Sequence, residues 1–303
     1  MSSPITLTSA TRSSLLSLQS TQSLQDTISE RLSTGKKVNS ALDNPVNFFT
    51  ASSLNSRSSQ LSDLLDGMSN GIQTIQAASK GIDGMKNLVQ QMQSTVKQAR
   101  QDTTYNSADA SPNTKVRDNL KTQYLDLAKQ IDTLAKDSGY NGVNLLNGEE
   151  LKVVFNEKTG DSKSDMSVSL KNDAGTAEAV NADKLGIAVP GAATTDPYTL
   201  PTAVDDFTDS TKLDALSDLL TTALTSLSTK ASSLGSSLSV VQTRQDFTKQ
   251  IVNVLKTGSD NLVNADMNEE AANFTALQTR QSIAQQTLSL ANQQQQGILQ
   301  LLR

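Results

Sequence analysis

Two long registers of apolar residues fix what this chain can fold into. Ile75, Ala78, Ile82, Met85, Val89, Met92, Val96 and Ala99 alternate spacings of three and four residues, which is the seam of a coiled coil. Far downstream, Leu213, Leu220, Leu227, Leu234 and Val241 recur every seven residues; Thr248 interrupts, and Leu255 and Leu262 resume. As single helices at about 1.5 Å per residue, residues 64–100 would extend about 55 Å and the downstream seam about 80 Å. A helix that long with one apolar stripe must bury it against a partner, and antiparallel packing within one chain does so.

The composition argues against a thick core. Hydrophobic residues are 36% and aromatics 3% of the 303 residues, with no Trp. Ser, Thr, Gln, Asn and Ala stand where large rings would fill a wide interior, so thin helical packing is expected. His and Cys are both absent. That removes metal centres built on imidazole or thiolate, and with them the usual His- or Cys-based nucleophilic and acid–base chemistry. A net charge of −5 and a pI near 4.9 leave no footprint for nucleic acid. No run of about 18 apolar residues is present to cross a membrane. Residues 1–30 lack a basic start followed by an apolar run, so no conventional signal peptide is expected.

Local signals divide the chain further. Leu15, Leu18, Leu24, Ile28 and Leu32 give residues 5–33 a loose amphipathic pattern, which Gly35 stops. Asn44-Pro45 reads as a helix cap followed by the first helical residue, opening a run that Gly67 and Gly71 weaken. Val116, Leu120, Tyr124, Leu127, Ile131 and Leu134 mark a third helix, closed near Gly139. At Leu145 the period changes. Residues 152–155 and 166–170 flank a turn at Lys158-Thr159-Gly160 and predict a β-hairpin, and residues 172–211 predict loop with short strands. Asp266 and Glu269 resemble a capping box that restarts a last helix, along which Leu277, Ala284, Ala291 and Ile298 keep the seven-residue spacing.

The two ends are almost free of charge. Residues 1–25 carry only Arg12, and residues 271–303 only Arg280 and Arg303. A solvated helix face usually mixes Lys, Arg and Glu, whereas here amides and hydroxyls flank Leu and Ile. In a polymer every charge is repeated in each subunit and like charges near an axis repel, so such ends suit a packed tube wall. On these grounds Leu15, Leu18, Leu24, Ile28, Leu32, Ile75, Ile82, Val89, Val96, Leu220, Leu227, Leu234, Leu277, Ala284, Ile298 and Leu302 are the expected self-assembly seams.

Several segments, in order, resemble bacterial flagellin. Glu30-Arg31-Leu32-Ser33-Thr34-Gly35, continuing through Val38-Asn39-Ser40-Ala41-Leu42-Asp43, is similar to the family's E-R-L-S-S/T-G…N-S-A-x-D segment. Asn264-Ala265-Asp266-Met267-Asn268-Glu269 is similar to its D-A-D…E segment. Asp66-Gly67-Met68-Ser69-Asn70-Gly71-Ile72 and Tyr140-Asn141-Gly142-Val143-Asn144-Leu145-Leu146 match its N-D-G-I-S and F-N-G-x-x-L-L stretches. The resemblance covers about residues 5–150 and 182–303. It implies a mainly α fold: an elongated antiparallel helical bundle or coiled coil built from both chain ends, with a small β-hairpin region. Residues 1–42 plus 264–303 would form an inner-core helical coiled-coil domain. Residues 43–263 would form a rod-like helical domain with the hairpin and a short variable loop at about 150–211. The large outer domains of longer relatives would be absent.

By the same resemblance the chain is a structural subunit, not an enzyme, and polymerises with itself into the flagellar filament for motility. It implies a secreted protein, exported without a cleaved signal through the flagellar export apparatus. A chaperone and the hook-associated and cap proteins are the further partners it implies, with no cofactor, nucleic acid or membrane. The alternatives are a hook–filament junction protein of the same family and, farther off, a soluble coiled-coil signalling or adaptor module. One departure stands out. In flagellins detected by the mammalian Toll-like receptor the helix reads L-Q-R-V-R-E-L-A-V, whereas this chain has Leu88-Val89-Gln90-Gln91-Met92-Gln93-Ser94-Thr95-Val96. At Leu88, Gln90 and Ser94 the segment keeps the first leucine but loses a fixed guanidinium charge and the downstream leucine, which predicts weak receptor recognition.

Other signals carry less. The carboxylate pairs Glu149-Glu150, Asp205-Asp206 and Glu269-Glu270 are sequence neighbours that do not face each other on a helix, and Glu269 reads as a cap. Gly139, Gly142 and Gly148 lack the Lys-Ser/Thr of a phosphate loop. Asn273-Phe274-Thr275 matches a glycosylation sequon but falls inside the expected last helix.

Overall fold

The computed structural model describes residues 9–102, 112–171, 175–190, 198–201, 207 and 209–301, with backbone alone at 10, 112–115, 190, 295 and 298–301. Five long helices carry the fold: α1 (Ser9–Thr34), α2 (Pro45–Gln101), α3 (Pro112–Asp137), α4 (Ser210–Val263) and α5 (Met267–Leu301). Two antiparallel two-stranded ladders lie between α3 and α4, β1 (Leu151–Val154) with β2 (Asp165–Val168) and β3 (Val189–Pro190) with β4 (Tyr198–Thr199). The chain divides into a terminal unit, Met1–Ser58 with Asn253–Arg303, and a central unit, Ser59–Val252. That division falls inside α2 and α4, farther from the chain ends than the helix breaks near residues 42 and 264. Within the terminal unit, Ser259 Oγ donates to the Ala51 carbonyl at 3.3 Å, so the first turns of α2 pack with the last turns of α4.

In the central unit α2, α3 and α4 form one core. The seam read from the sequence faces inward: Ile75, Ala78, Ile82, Met85, Val89, Met92, Val96 and Ala99 are all buried. So are Leu213, Leu220, Leu227, Leu234 and Val241 on α4. Thr248, which breaks the apolar repeat, is buried at the same register, so the seam continues through it. Contacts from Gln93 to Thr221 and from Arg100 to Asp214 show α2 and α4 running antiparallel.

Gly67 and Gly71 do not interrupt α2, which is continuous for 57 residues. Three of its glycines lie where neighbours come too near for a side chain. A Cβ at Gly71 would sit 2.9 Å from Val153 Cγ2 of the hairpin, one at Gly84 2.7 Å from Leu134 Cδ2, and one at Gly81 2.5 Å from Leu146 Cδ1. The helix-propensity cost of glycine is offset by the close approach it permits.

The connection after α3 closes as its turn residues dictate. Tyr140 and Val143 exchange backbone hydrogen bonds of 2.9 and 3.0 Å around Asn141 and Gly142, both with positive φ, the pattern of a primed two-residue turn. Asn144 Nδ2 then donates to the carbonyls of Ala135 and Lys136, and its own N–H donates to Glu149 Oε2 at 2.7 Å. Leu145 and Leu146 are thereby driven into the core. The hairpin pairs Val153 with Met166, one residue earlier than the expected strands, and buries Val153, Phe155 and Val168. Arg117, buried on α3, donates to the carbonyls of Asp102 (2.7 Å) and Phe207 (2.9 Å), tying the end of α2 and the approach to α4 to one guanidinium.

Candidate assembly surface

In the terminal unit α1 and α5 run antiparallel with their backbones close together. Gln281 Nε2 donates to Gln22 Oε1 at 2.7 Å, and Arg31 Nη1 meets Glu270 Oε1 at 3.1 Å. At the base of the pair, both chain ends break their helices and pair with each other. The Lys37 N–H donates to the Val263 carbonyl at 2.7 Å and the Ala265 N–H to the Gly35 carbonyl at 3.0 Å. Gly35 adopts φ +72°, the left-handed conformation that ends α1.

Each restart is capped. Asn44 Oδ1 accepts from the Asn47 N–H at 3.1 Å at the head of α2. Asp266 Oδ1 accepts from Asn268 and Glu269 N–H at the head of α5. Asp43 Oδ2 accepts the Asn39 and Ser40 N–H groups, each at 2.9 Å, and those bonds hold its carboxyl below the usual carboxylate range. Glu269 provides no side-chain cap; Glu270, its neighbour, is the buried carboxylate and takes Arg31.

The face that α1 and α5 turn to each other is largely polar or small. On α1 it runs Thr11, Ser14, Leu18, Thr21, Gln25, Ile28 and Leu32, all buried or half-buried. On α5 it runs Glu270, Phe274, Leu277, Gln281, Ala284, Leu288 and Ala291, likewise buried or half-buried. Of the expected seam residues, Leu18, Ile28, Leu32, Leu277 and Ala284 therefore face inward. Leu15 and Leu24 do not; they stand 39% and 53% exposed. The Ile298 side chain and Leu302 lie outside the described residues. The seam residues of α2 and α4 are covered within the chain, so as it stands folded they offer no surface to a neighbour.

Immediately beside its inward stripe α5 carries a second one, a single residue out of step. Glu269, Asn273, Ala276, Arg280, Ile283, Thr287 and Leu290 keep the same alternating spacing, and every one is exposed. Ile283 and Leu290 are each 58% exposed. Other large apolar side chains of this unit also face solvent: Leu16, Leu42, Val46, Phe49, Val254 and Met267. The central unit holds almost twice as many residues, yet among those described it exposes only Val116, Tyr140, Val240 and Phe247 of this class. Among the described residues, exposed large apolar side chains are concentrated in the terminal unit, the kind of surface that marks an interaction site.

Among the described residues no cluster of His, Cys, Asp and Glu could hold a metal, and no helix is long and apolar enough to cross a membrane. Leu88 packs half-buried against the central core, while Gln90 and Ser94 are exposed on α2.

Comparison with known proteins identifies the family. Residues 5–150 match the family model for the bacterial flagellin N-terminal helical region, and residues 217–302 match that for the C-terminal helical region. The chain is 30% identical to flagellin FljK of Caulobacter vibrioides over 289 residues, 95% of this chain and 94% of that protein. It is 28% identical to a flagellin of Brucella melitensis over 311 residues, the full length of both. A crystal structure of Bacillus cereus flagellin aligns with a TM-score of 0.42 at 16% identity, covering 61% of this chain and 88% of that one.

Proposed function

The chain belongs to the bacterial flagellin family, a structural subunit of the flagellar filament and not an enzyme, and we propose that it assembles through the exposed faces of its paired terminal helices. Filament formation serves motility, with the subunit acting as a passive element of the propeller. The observation that carries the proposal is the set of large apolar side chains, Leu16, Leu24, Ile283 and Leu290, that the paired terminal helices leave exposed among the described residues. Apolar side chains grouped on an exposed helix face gain from being covered, and a helix of a neighbouring copy can cover them. The polar, close-packed α1–α5 seam holds the pair together and leaves Leu16, Leu24, Ile283 and Leu290 to neighbours.

Export fits the same reading. A subunit that buries its terminal apolar surface only on assembly can travel unpolymerised through the flagellar export apparatus, with a chaperone covering that surface and the cap and hook-associated proteins guiding its addition. Neither a hook–filament junction protein nor a soluble coiled-coil module is favoured, because both family models and the relatives named above are flagellins. The test compares the full chain with one lacking residues 1–42 and 264–303 by sedimentation and electron microscopy. Long filaments from the shortened chain would overturn the proposal.

A second reading concerns the host receptor. Gln90 and Ser94 face solvent on α2 and offer neither a guanidinium nor an apolar side chain to a partner's carboxylates and pockets. Weak recognition by the mammalian Toll-like receptor follows, and reporter-cell activation at the potency of an enteric flagellin would refute it.

A further inference from the structure

The exposed stripe of α5 carries two charges, and their placement defines a register between copies. Glu269 and Arg280 are separated by 11 residues, three helical turns, so they share one face about 16 Å apart along the axis. Neither side chain has a hydrogen bond or ion pair among the described residues. Cap duty at this end of α5 is taken by Asp266, and the intrachain ion pair by Glu270. Arg280 is the sole charged side chain between residues 271 and 302. It borders an open groove of about 460 Å³ between α1 and α5, lined by Ser13, Ser17, Thr21 and Ile283 among others.

A cation repeated in every subunit of a polymer repels its copies unless each has a counter-charge. Building on the assembly proposal, we infer that Arg280 of one copy pairs with Glu269 of the next along this stripe. Such a contact uses different patches on its two sides. In the head-to-tail order of a filament each copy keeps one unused group at either end and the contact propagates, whereas an antiparallel two-fold pairing of the same residues would close as a dimer. Asp260 is also exposed, with no side-chain hydrogen bond or ion pair among the described residues, but it lies on α4, off the stripe. The pair sets register and adds attraction, while Ile283 and Leu290 supply the apolar contact around it.

The experiment uses the full chain and measures critical concentration for polymerisation in variants whose circular dichroism matches the unaltered protein. R280E and E269R alone should each raise the critical concentration at least about tenfold, because like charges then face each other. An equimolar mixture of the two variants should polymerise again, since each supplies the counter-charge the other lacks. R280Q should polymerise more weakly than the unaltered chain at low salt, with the difference narrowing as NaCl is raised. Two outcomes overturn the inference: R280E polymerising like the unaltered chain, or rescue by D260R in place of E269R. In either case the unaltered chain still forms filaments, so the assembly proposal stands. Failure of the unaltered chain to polymerise would instead remove both.

Discussion

Arg31 and Glu270 are 239 residues apart in sequence, yet Arg31 Nη1 lies 3.1 Å from Glu270 Oε1. The contact sits where α1 and α5 begin their antiparallel run, next to the short backbone ladder between residues 35–38 and 263–265. Glu270 is buried, so losing Arg31 leaves a carboxylate without its counter-charge in a partly dry site. R31A should therefore cost more than E270Q, which keeps the shape and whose neutral amide oxygen still accepts from the Arg31 guanidinium. The expected losses are about 2 kcal/mol and about 1 kcal/mol. Urea denaturation of the monomer followed by circular dichroism measures both, and an equal or smaller loss for R31A would contradict the burial argument.

Gly67 and Gly81 occupy the same helix and should respond oppositely to the same substitution. Nothing lies within 4 Å of a Cβ built at Gly67, so Gly67→Ala gains the propensity difference and should stabilise by up to about 1 kcal/mol. At Gly81 a Cβ would sit 2.5 Å from Leu146 Cδ1 and 2.8 Å from Ser138 Cβ. Overpacking there costs about 1–3 kcal/mol and outweighs the same gain, so Gly81→Ala should destabilise. Thermal melts of the two variants settle the sign.

Asp132 gathers two groups onto α3: its carboxylate accepts the Ala182 N–H at 2.7 Å and the Tyr198 hydroxyl. Burial, then the hydrogen bond to Asp132 and its negative charge, push the Tyr198 phenol up from 10.0 to about 12. The folded protein thus holds this proton more tightly than the unfolded chain. Its contribution is complete below pH 10 and vanishes as pH climbs from 10 to about 12. Burial also raises Tyr124, whose hydroxyl donates to the Ile187 carbonyl at 2.7 Å. Y198F should lower stability at neutral pH by about 1 kcal/mol and flatten the decline between pH 10 and 12. Unfolding free energies measured at stepped alkaline pH would show a parallel decline in both proteins if the argument fails.

These positions also show what could be read before any coordinates. The seams of α2 and α4 were legible because each buries large aliphatic side chains at regular spacing against two neighbours. Gly35, Asn44 and Asp266 were legible because capping chemistry is local. The seam between α1 and α5 was legible only in part: Leu18, Ile28, Leu32, Leu277 and Ala284 face inward, but Thr11, Ser14, Thr21 and Gln281 at the other contact positions carry no apolar signal. Leu15 and Leu24 belong to the same sequence pattern but stand outside the α1–α5 contact. Gly71 looks like a helix weakener in sequence, and only the hairpin lying against it reveals the reason for its presence. Arg117 gave no sequence signal at all, since its acceptors are main-chain carbonyls from two distant breaks.

Folding and assembly should separate cleanly by substitution, because the apolar side chains of the α2 seam and of the outer face of α5 differ in what covers them. Ile82 is fully buried among α2, α3 and α4, so Ile82→Ala should cost about 2–5 kcal/mol of monomer stability. Ile283 and Leu290 are each more than half exposed. Replacing both with Asn removes no core contact and should leave the monomer within about 0.5 kcal/mol of the unaltered chain. Polymerisation should respond the other way round. The Ile283→Asn, Leu290→Asn chain should fail to form filaments at concentrations where the unaltered protein assembles, because apolar area buried between copies is lost in every repeat. Ile82→Ala monomers, once folded below their melting temperature, should still assemble. Sedimentation at matched temperature, with circular dichroism on the same samples, reads both quantities together. Filaments from the doubly substituted chain would mean that the outer stripe of α5 faces solvent in the polymer as well.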